Sequence, residues 1–200
     1  MNGMQPSSSD IDHLRWLASS GITSLSGLRV LDLGCGSGYI CDKAIHDGAA
    51  SAVGIDLVKP RCLDAGSKWV FLDSNLDGDG WIKQIPGQEF DLVMAFDILE
   101  HLESPYRFLT AIKSILSKNG TLVLTTPNTL SWERFMKPAS WSGAQDPQHK
   151  VLFNRYSLKF LLSRAGLKCT QMRAPMRSLA PLGPLQPQIG GQIICLASVM

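Results

Sequence analysis

Residues 30–40 read VLDLGCGSGYI, placing three glycines and an acid directly after the start of an apolar run. A strand that runs into a glycine-rich turn and then a helix is where open α/β sheets hold their ligands, so the spacing of this stretch decides the fold and its ligand class. A dinucleotide fingerprint, G-x-G-x-x-G, needs a third glycine at position 39 or 41, where the chain has Tyr39 and Cys41. That disfavours a nicotinamide-dependent dehydrogenase. A phosphate-binding P-loop needs a Lys-Ser/Thr pair after its glycines, and no such pair follows here. What remains is Asp32-x-Gly34-x-Gly36-x-Gly38, with an acid two residues before the first glycine. A carboxylate aimed at the ligand repels a pyrophosphate and suits a ligand that carries positive charge.

The rest of the composition narrows the setting. With 200 residues, 44% hydrophobic and 18% charged, the chain suits one α/β domain rather than two. A net charge of +2 is too mild to favour nucleic acid or an anionic membrane as partner. Five cysteines, Cys35, Cys41, Cys62, Cys169 and Cys195, include no CxxC pair, which speaks against a disulfide framework or a zinc site and for a reducing compartment. The segment MNGMQPSSSD has no basic start or apolar core, and no apolar run approaches the ~20 residues of a membrane span. A soluble cytoplasmic protein is expected, and no metal: the sequence offers no His/Asp/Glu set at ligand spacing.

Working outward from the glycine turn, five short runs are nearly continuous in apolar character: LRVLDLG (28–34), SAVGIDL (51–57), KWVFLD (68–73), FDLVMAFD (90–97) and GTLVLTTP (120–127). Such runs fit strands of a parallel sheet covered on both faces. In SPYRFLTAIKSILSKNG, Ser104 is placed to cap a helix and Pro105 fits its first turn. Phe108, Leu109, Ile112, Ile115 and Leu116 form its apolar stripe, and Asn119-Gly120 supplies the stop. Asp10 is expected to cap a first helix closed by Gly21, and Ser157 a last one closed by Gly166. KPRCLDAGS after Asp56 reads as a short helix. Two final strand candidates, LKCTQMRA and GQIICLASVM, flank a loop with Pro175, Pro181, Pro184 and Pro187.

Asp56 ends the second run, where a carboxylate can accept hydrogen bonds from both hydroxyls of a ribose. Asp73 ends the third, within reach of an adenine amino group directly or through Ser74; the competing reading is a turn cap. A nucleoside with positive charge is S-adenosylmethionine, with a cationic sulfonium and an ammonium, and its carboxylate can meet the free N–H groups at the start of the next helix. The ordered series VLDLGCGSG, VGID, FLD, FDLVMAFDILEHL and LSKNGTLVLTTPN resembles the class I S-adenosylmethionine-dependent methyltransferases, and most nearly the small-molecule branch with a D-x-L-E-H fourth strand. The likeness runs from about Leu28 to Asn128, and HKVLFNRYSLKFLLSRAGL is similar to that branch's usual ending.

The resemblance implies a doubly wound, Rossmann-like sheet of seven strands, mostly parallel with the last antiparallel, and methyl transfer to a small-molecule acceptor. Position by position it implies Asp32, Gly34, Gly36 and Gly38 along the methionine part, Asp56 and Leu57 at the ribose and adenine edge, and Asp73 at the adenine. Phe96 falls beside the sulfonium. Residues 1–27 then form an N-terminal helix with its leading segment, 28–128 the cofactor-binding core, 129–156 a substrate lid, and 157–200 the final helix and strand pair. The acceptor atom is expected to be oxygen. A non-catalytic cofactor-binding domain and a protein or glycan acceptor are the alternatives.

The methyl group is already activated by the sulfonium, so placement of the acceptor dominates. A hydroxyl acceptor must also lose a proton, and a positioned base contributes ~10²–10⁴-fold. His101, in FDILEHL, and His149, in AQDPQHKVLF, are the candidates; a loop-holding role competes for each. Glu100 is placed to orient His101 or to stand in solvent. His13 and Trp16 reach substrate only if the first helix folds over the site. The stretch NTLSWERFMKPASWSGAQDPQHKVLF is long for a connection, and its Trp132, Phe135 and Trp141 suit a cover over substrate or a satellite packing cluster.

Overall fold

In the computed structural model, which describes residues 5–60, 68–85, 87–176 and 187–200, each of the five apolar runs is a strand. They are β1 (Arg29–Leu33), β2 (Ser51–Asp56), β3 (Val70–Asp73), β4 (Phe90–Phe96) and β5 (Leu116–Pro127). With β6 (Leu167–Arg173) and β7 (Gln192–Val199) they form one sheet in the order β3-β2-β1-β4-β5-β7-β6. The first five are parallel, and β7 runs antiparallel to both β5 and β6. The expected seven-stranded, Rossmann-like α/β architecture is therefore the one observed. Strand order reverses between β1 and β4, which makes their carboxyl ends the topological switch point where such sheets bind ligands.

Period-two alternation explains why these runs are apolar throughout. Leu31, Leu33, Val53, Ile55, Val93 and Ala95 join the core on one face, while Val30, Ala52, Leu92 and Met94 join a second core on the other. Helices α4 (Pro105–Ile115) and α7 (Arg155–Arg164) contribute Phe108, Leu109, Ile112, Leu158 and Leu162 to the first core. Helices α1 (Ser8–Ser19) and α2 (Tyr39–His46) contribute Leu17, Ile40, Cys41 and Ala44 to the second. Each fully buried Leu, Ile or Phe stabilises the fold by ~1.5–3 kcal/mol relative to exposure. By the same alternation Asp32 and Asp56 fall on the α1/α2 side.

Gly54, in the middle of β2, is required by this packing: a Cβ there would lie 2.9 Å from both Cys35 Sγ and the ring of Trp69. Gly54→Ala is expected to destabilise the protein by ~1–3 kcal/mol through overpacking, read as a lower urea midpoint at unchanged slope. Trp69 and Trp81 are both buried; Trp69 packs in the second core and Trp81 against Phe108 in the first.

Three boundaries differ from expectation, each for a physical reason. Ser7, not Asp10, caps α1: the Ser7 side chain accepts from the Asp10 N–H while the Asp10 carboxylate accepts from the Ser7 N–H at 2.8 Å. Likewise Asn154, not Ser157, caps α7, with Ser157 the reciprocal partner three residues on. In a capping box both ends are small and polar, so the cap and its partner exchange places easily in a sequence. Helix α4 begins at Pro105 as expected, but the Ser104 side chain makes no capping bond, and the helix ends at Ile115 rather than at Asn119-Gly120. Leu116 leaves it to pair with Phe90 of β4, because ladder pairing with β4 satisfies its backbone. The helix expected in KPRCLDAGS, with Cys62, lies largely outside the described residues, as do Pro181 and Pro184.

Candidate functional site

The glycine turn after β1 is built by backbone that side chains rarely tolerate: Gly34, Gly36 and Gly38 have φ of 80°, 49° and 79°. The turn folds back onto the tip of β2, where the N–H groups of Gly34 and Cys35 donate to the Ile55 carbonyl at 2.8 and 3.1 Å. Gly36 N–H donates to Asp56 Oδ2 at 2.8 Å, and Val58 N–H to Asp56 Oδ1 at 3.1 Å. A carboxylate has about four acceptor positions, so Asp56 retains capacity for further donors. A Cβ on Gly34 would run into the Ile98 side chain beyond β4, so the turn and the β4 tip approach as closely as bare backbone allows.

Between them lies a cavity of about 530 Å³, lined by Gly34, Asp56, Leu57, Asp77, Asp97, His101 and neighbouring residues. Asp56, Asp77 and Asp97 give its wall a negative bias, with Lys150 opposing it through an ion pair to Asp77 at 2.9 Å. Asp32 is beneath the turn and nearly fully buried. Burial, reinforced by Asp10 and Asp56, pushes its pKa up from 3.8 to about 7. Gly38 precedes α2 and offers no side-chain cap; the Tyr39 N–H of the first turn donates to Ser37 Oγ at 3.2 Å.

Gly34, Asp56, Leu57 and His101 thus stand on the cavity wall. Gly36 holds Asp56, and Asp73 ends β3 one residue before Ser74, which is on the wall. Phe96 is buried below the β4 tip, stacked on His13 at 4.4 Å between ring centroids. Helix α1 does fold over the carboxyl edge: His13 and Trp16 line a second cavity of about 520 Å³, and Ser37 Oγ ties the glycine turn to Asp10 at 3.1 Å. Burial lowers the pKa of His13, against the pull of Asp97 and two acids of its own helix.

Asp97 is a residue that sequence reasoning missed. It has φ of 53°, the one positive value among described non-glycine residues, and its carboxylate accepts from Thr125 Oγ1 at 2.9 Å and from Gln192 Nε2. It lines both cavities and also a third, of about 460 Å³, shared with Glu100, His101 and His149. Burial raises its pKa, opposed by Thr125 and His13. The signal available was an acid at the carboxyl end of a strand beside the switch point; its left-handed backbone is visible only in the structure.

The stretch after β5 forms α5 (Trp132–Met136), a 3₁₀ turn (Pro138–Ser140) and α6 (Ser142–Gln145). Its aromatics do not line the three cavities that meet at Asp97: Trp132 and Phe135 are exposed, and Trp141 is buried under the Arg134 guanidinium. The polar end of the stretch faces the site instead, through Asp146, Pro147, Gln148, His149 and Lys150. Backbone N–H groups of Lys150 and Val151 donate to the Glu100 carbonyl at 2.8 and 3.1 Å, which sets His149 beside His101 with ring centroids 4.7 Å apart. Glu100 is not solvated; it is 1% exposed. Although no ligand spacing exists in the sequence, the fold gathers Glu100, His101 and His149 with ligand atoms all within 4.8 Å of one another. None of the described helices is long and apolar enough to cross a membrane.

Solved structures share this fold. A computed match to solved structures gives TM-score 0.71 at 19% identity with an S-adenosylmethionine-dependent methyltransferase of Archaeoglobus fulgidus, covering 94% of this chain and 93% of that one. Magnesium protoporphyrin IX methyltransferase of Synechocystis, solved with S-adenosylhomocysteine bound, matches with TM-score 0.62 at 18% identity over all of this chain and 90% of that one. Among relatives by sequence, a ubiquinone biosynthesis O-methyltransferase of Rhodopseudomonas palustris is 33% identical over 57% of this chain and 45% of its own length. A tRNA U34 carboxymethyltransferase of Pseudomonas aeruginosa is 32% identical over 56% of this chain and 36% of its own length. The matched region spans less than half the length of these relatives. The family model for the methyltransferase domain matches residues 13–172, from within the helix over the site into β6, and the chain belongs to that family, with the fold of the solved S-adenosylmethionine-dependent methyltransferases.

Proposed function

We propose that the chain transfers a methyl group from S-adenosylmethionine to an oxygen of a small-molecule acceptor. The observation that carries this reading is the pairing of Asp56 with the bare turn at Gly34 across one nucleoside-sized, acid-walled cavity at the switch point. In this reading Asp56 takes the ribose hydroxyls, Leu57 and the Ser74 side of Asp73 border the adenine, and Asp32, Gly36 and Gly38 shape the methionine end. The sulfonium then lies toward Phe96 and Asp97. The likeness to a ubiquinone biosynthesis O-methyltransferase supports oxygen and a small acceptor. His149 serves the acceptor end, since it borders the third cavity and not the cofactor cavity, and His101, on the wall of both, stands between the two.

The test is methyl transfer from radiolabelled cofactor to a panel of phenols, catechols, carboxylic acids and amines, with bulk tRNA as a further arm because one relative acts there by name. Turnover of a hydroxyl compound is the expected result. Transfer to tRNA alone, or tight S-adenosylhomocysteine binding with no transfer to any class, overturns it. His149→Ala is expected to lower kcat by ~10²-fold or more while S-adenosylhomocysteine affinity stays within threefold, separating the acceptor end from the cofactor end.

A further inference from the structure

We propose that Glu100, His101 and His149 bind a divalent transition-metal ion at the wall of the third cavity. The first reason is a buried acid whose two oxygens have no partner. Glu100 is 1% exposed, and neither of its carboxylate oxygens has a donor in hydrogen-bonding geometry. Thr126 Oγ1, also buried, has no hydrogen-bond partner either. A buried acid is costly unless it is hydrogen-bonded or coordinates a cation. The sequence nevertheless spends an acid there, inside a 3₁₀ turn that its backbone carbonyl helps to clamp.

The second reason is independent and concerns the histidine. His149 Nδ1 is 3.2 Å from the Gly143 carbonyl, which can only accept, so Nδ1 carries the proton and Nε2 presents its lone pair. A backbone carbonyl fixing the far nitrogen is the usual outer support of a metal-bound imidazole. The nearest acid to Nε2, Asp146, stands 3.9 Å away, outside hydrogen-bonding distance. His101 meets His149 edge to face, and one ligand atom from each of the three residues falls within 4.8 Å of the others.

Two imidazoles and one carboxylate match borderline first-row ions, Zn²⁺ or Mn²⁺, better than Ca²⁺ or Mg²⁺, and three protein ligands leave positions open. All three residues line the cavity that Asp97 also lines. The purpose of the ion deepens the proposed methyl transfer and rests on it: an acceptor hydroxyl bound there loses its proton to solvent more readily. Its oxygen then takes the methyl as the carbon–sulfur bond breaks, leaving the neutral thioether. The existence of the site does not rest on that reading.

The experiment is calorimetric titration of the metal-free full chain with ZnCl₂ and with MnCl₂, with neither cofactor nor acceptor present. One ion per chain is expected for at least one metal, weakened ~10²-fold or more by Glu100→Gln and by His149→Ala and unchanged by His46→Ala on the exposed face of α2. At ~100-fold excess over Kd the ion should raise Tm by ~5–10 °C in the natural chain and far less in either variant. Retained S-adenosylhomocysteine binding shows that a variant is folded, and if His149→Ala fails that check, Glu100→Gln and His149→Gln carry the comparison. Absence of saturable binding for both metals, or equal binding in the variants and the natural chain, overturns the proposal without touching methyl transfer. Failure of methyl transfer with metal binding intact overturns only the stated use.

Discussion

Asp56→Ala is expected to weaken S-adenosylhomocysteine binding by ~10²–10⁴-fold, measured by calorimetry at fixed pH. Two ribose hydroxyls donating to one carboxylate make charge-assisted hydrogen bonds, each worth ~1.5–3 kcal/mol. The same side chain also accepts from Gly36 and Val58, so its loss loosens the glycine turn as well. Asp56→Asn separates the two contributions. An amide oxygen can still accept from Gly36, so the turn stays ordered while the charge is gone, and an intermediate loss is expected. Affinity within threefold of the natural chain in the alanine variant would remove the ribose assignment and the cofactor pose built on it.

Asp32→Asn should stabilise the ligand-free protein at alkaline pH and cost it the cofactor. The folded protein holds the Asp32 proton up to about pH 7, whereas an unperturbed carboxyl releases it near 3.8. The folded state therefore binds more protons through that window, and stability falls as pH rises from ~4 to ~7 and stays low above it. An uncharged isostere removes this loss. The advantage of the variant over the natural chain should grow by on the order of 3 kcal/mol between pH 5 and pH 8. Thermal melts of both proteins at the two pH values measure it, and the difference between them cancels groups common to both. Above pH 7 the variant is also expected to lose at least tenfold in S-adenosylhomocysteine affinity, because the buried carboxylate beneath the glycine turn is what a cationic amino-acid end selects. Equal pH dependence in the two proteins would mean that Asp32 is not the group that opposes folding in base.

The strands were legible because a parallel strand covered on both faces must be apolar at nearly every position, and VLDL, AVGID and LVMAF satisfy that without ambiguity. The glycine turn and its contact with the tip of β2 were legible because Gly34, Gly36 and Asp56 are tied together by local backbone geometry. Helix starts were not: Ser7 with Asp10 and Asn154 with Ser157 are reciprocal pairs that a one-dimensional reading places a turn late. The aromatics of the 129–156 stretch also misled, since Trp141 packs beneath Arg134 and the polar residues that follow it turn to the site. Least legible was the gathering of His149 with Glu100 and His101. It depends on two backbone bonds to the Glu100 carbonyl between segments far apart in the chain, and no spacing rule encodes those. The hint present in FDILEHL was two acids and a histidine within five residues of a strand tip.

One residue, Asp97, forms part of the wall of all three cavities, and its backbone lies in the left-handed region. Whatever occupies one cavity must then alter the field felt by an occupant of the next, and thermodynamic reciprocity requires the effect to be equal in both directions. Nucleoside, acceptor and ion would titrate as a linked set, so a binding constant measured for any one of them is a property of what the other two are doing.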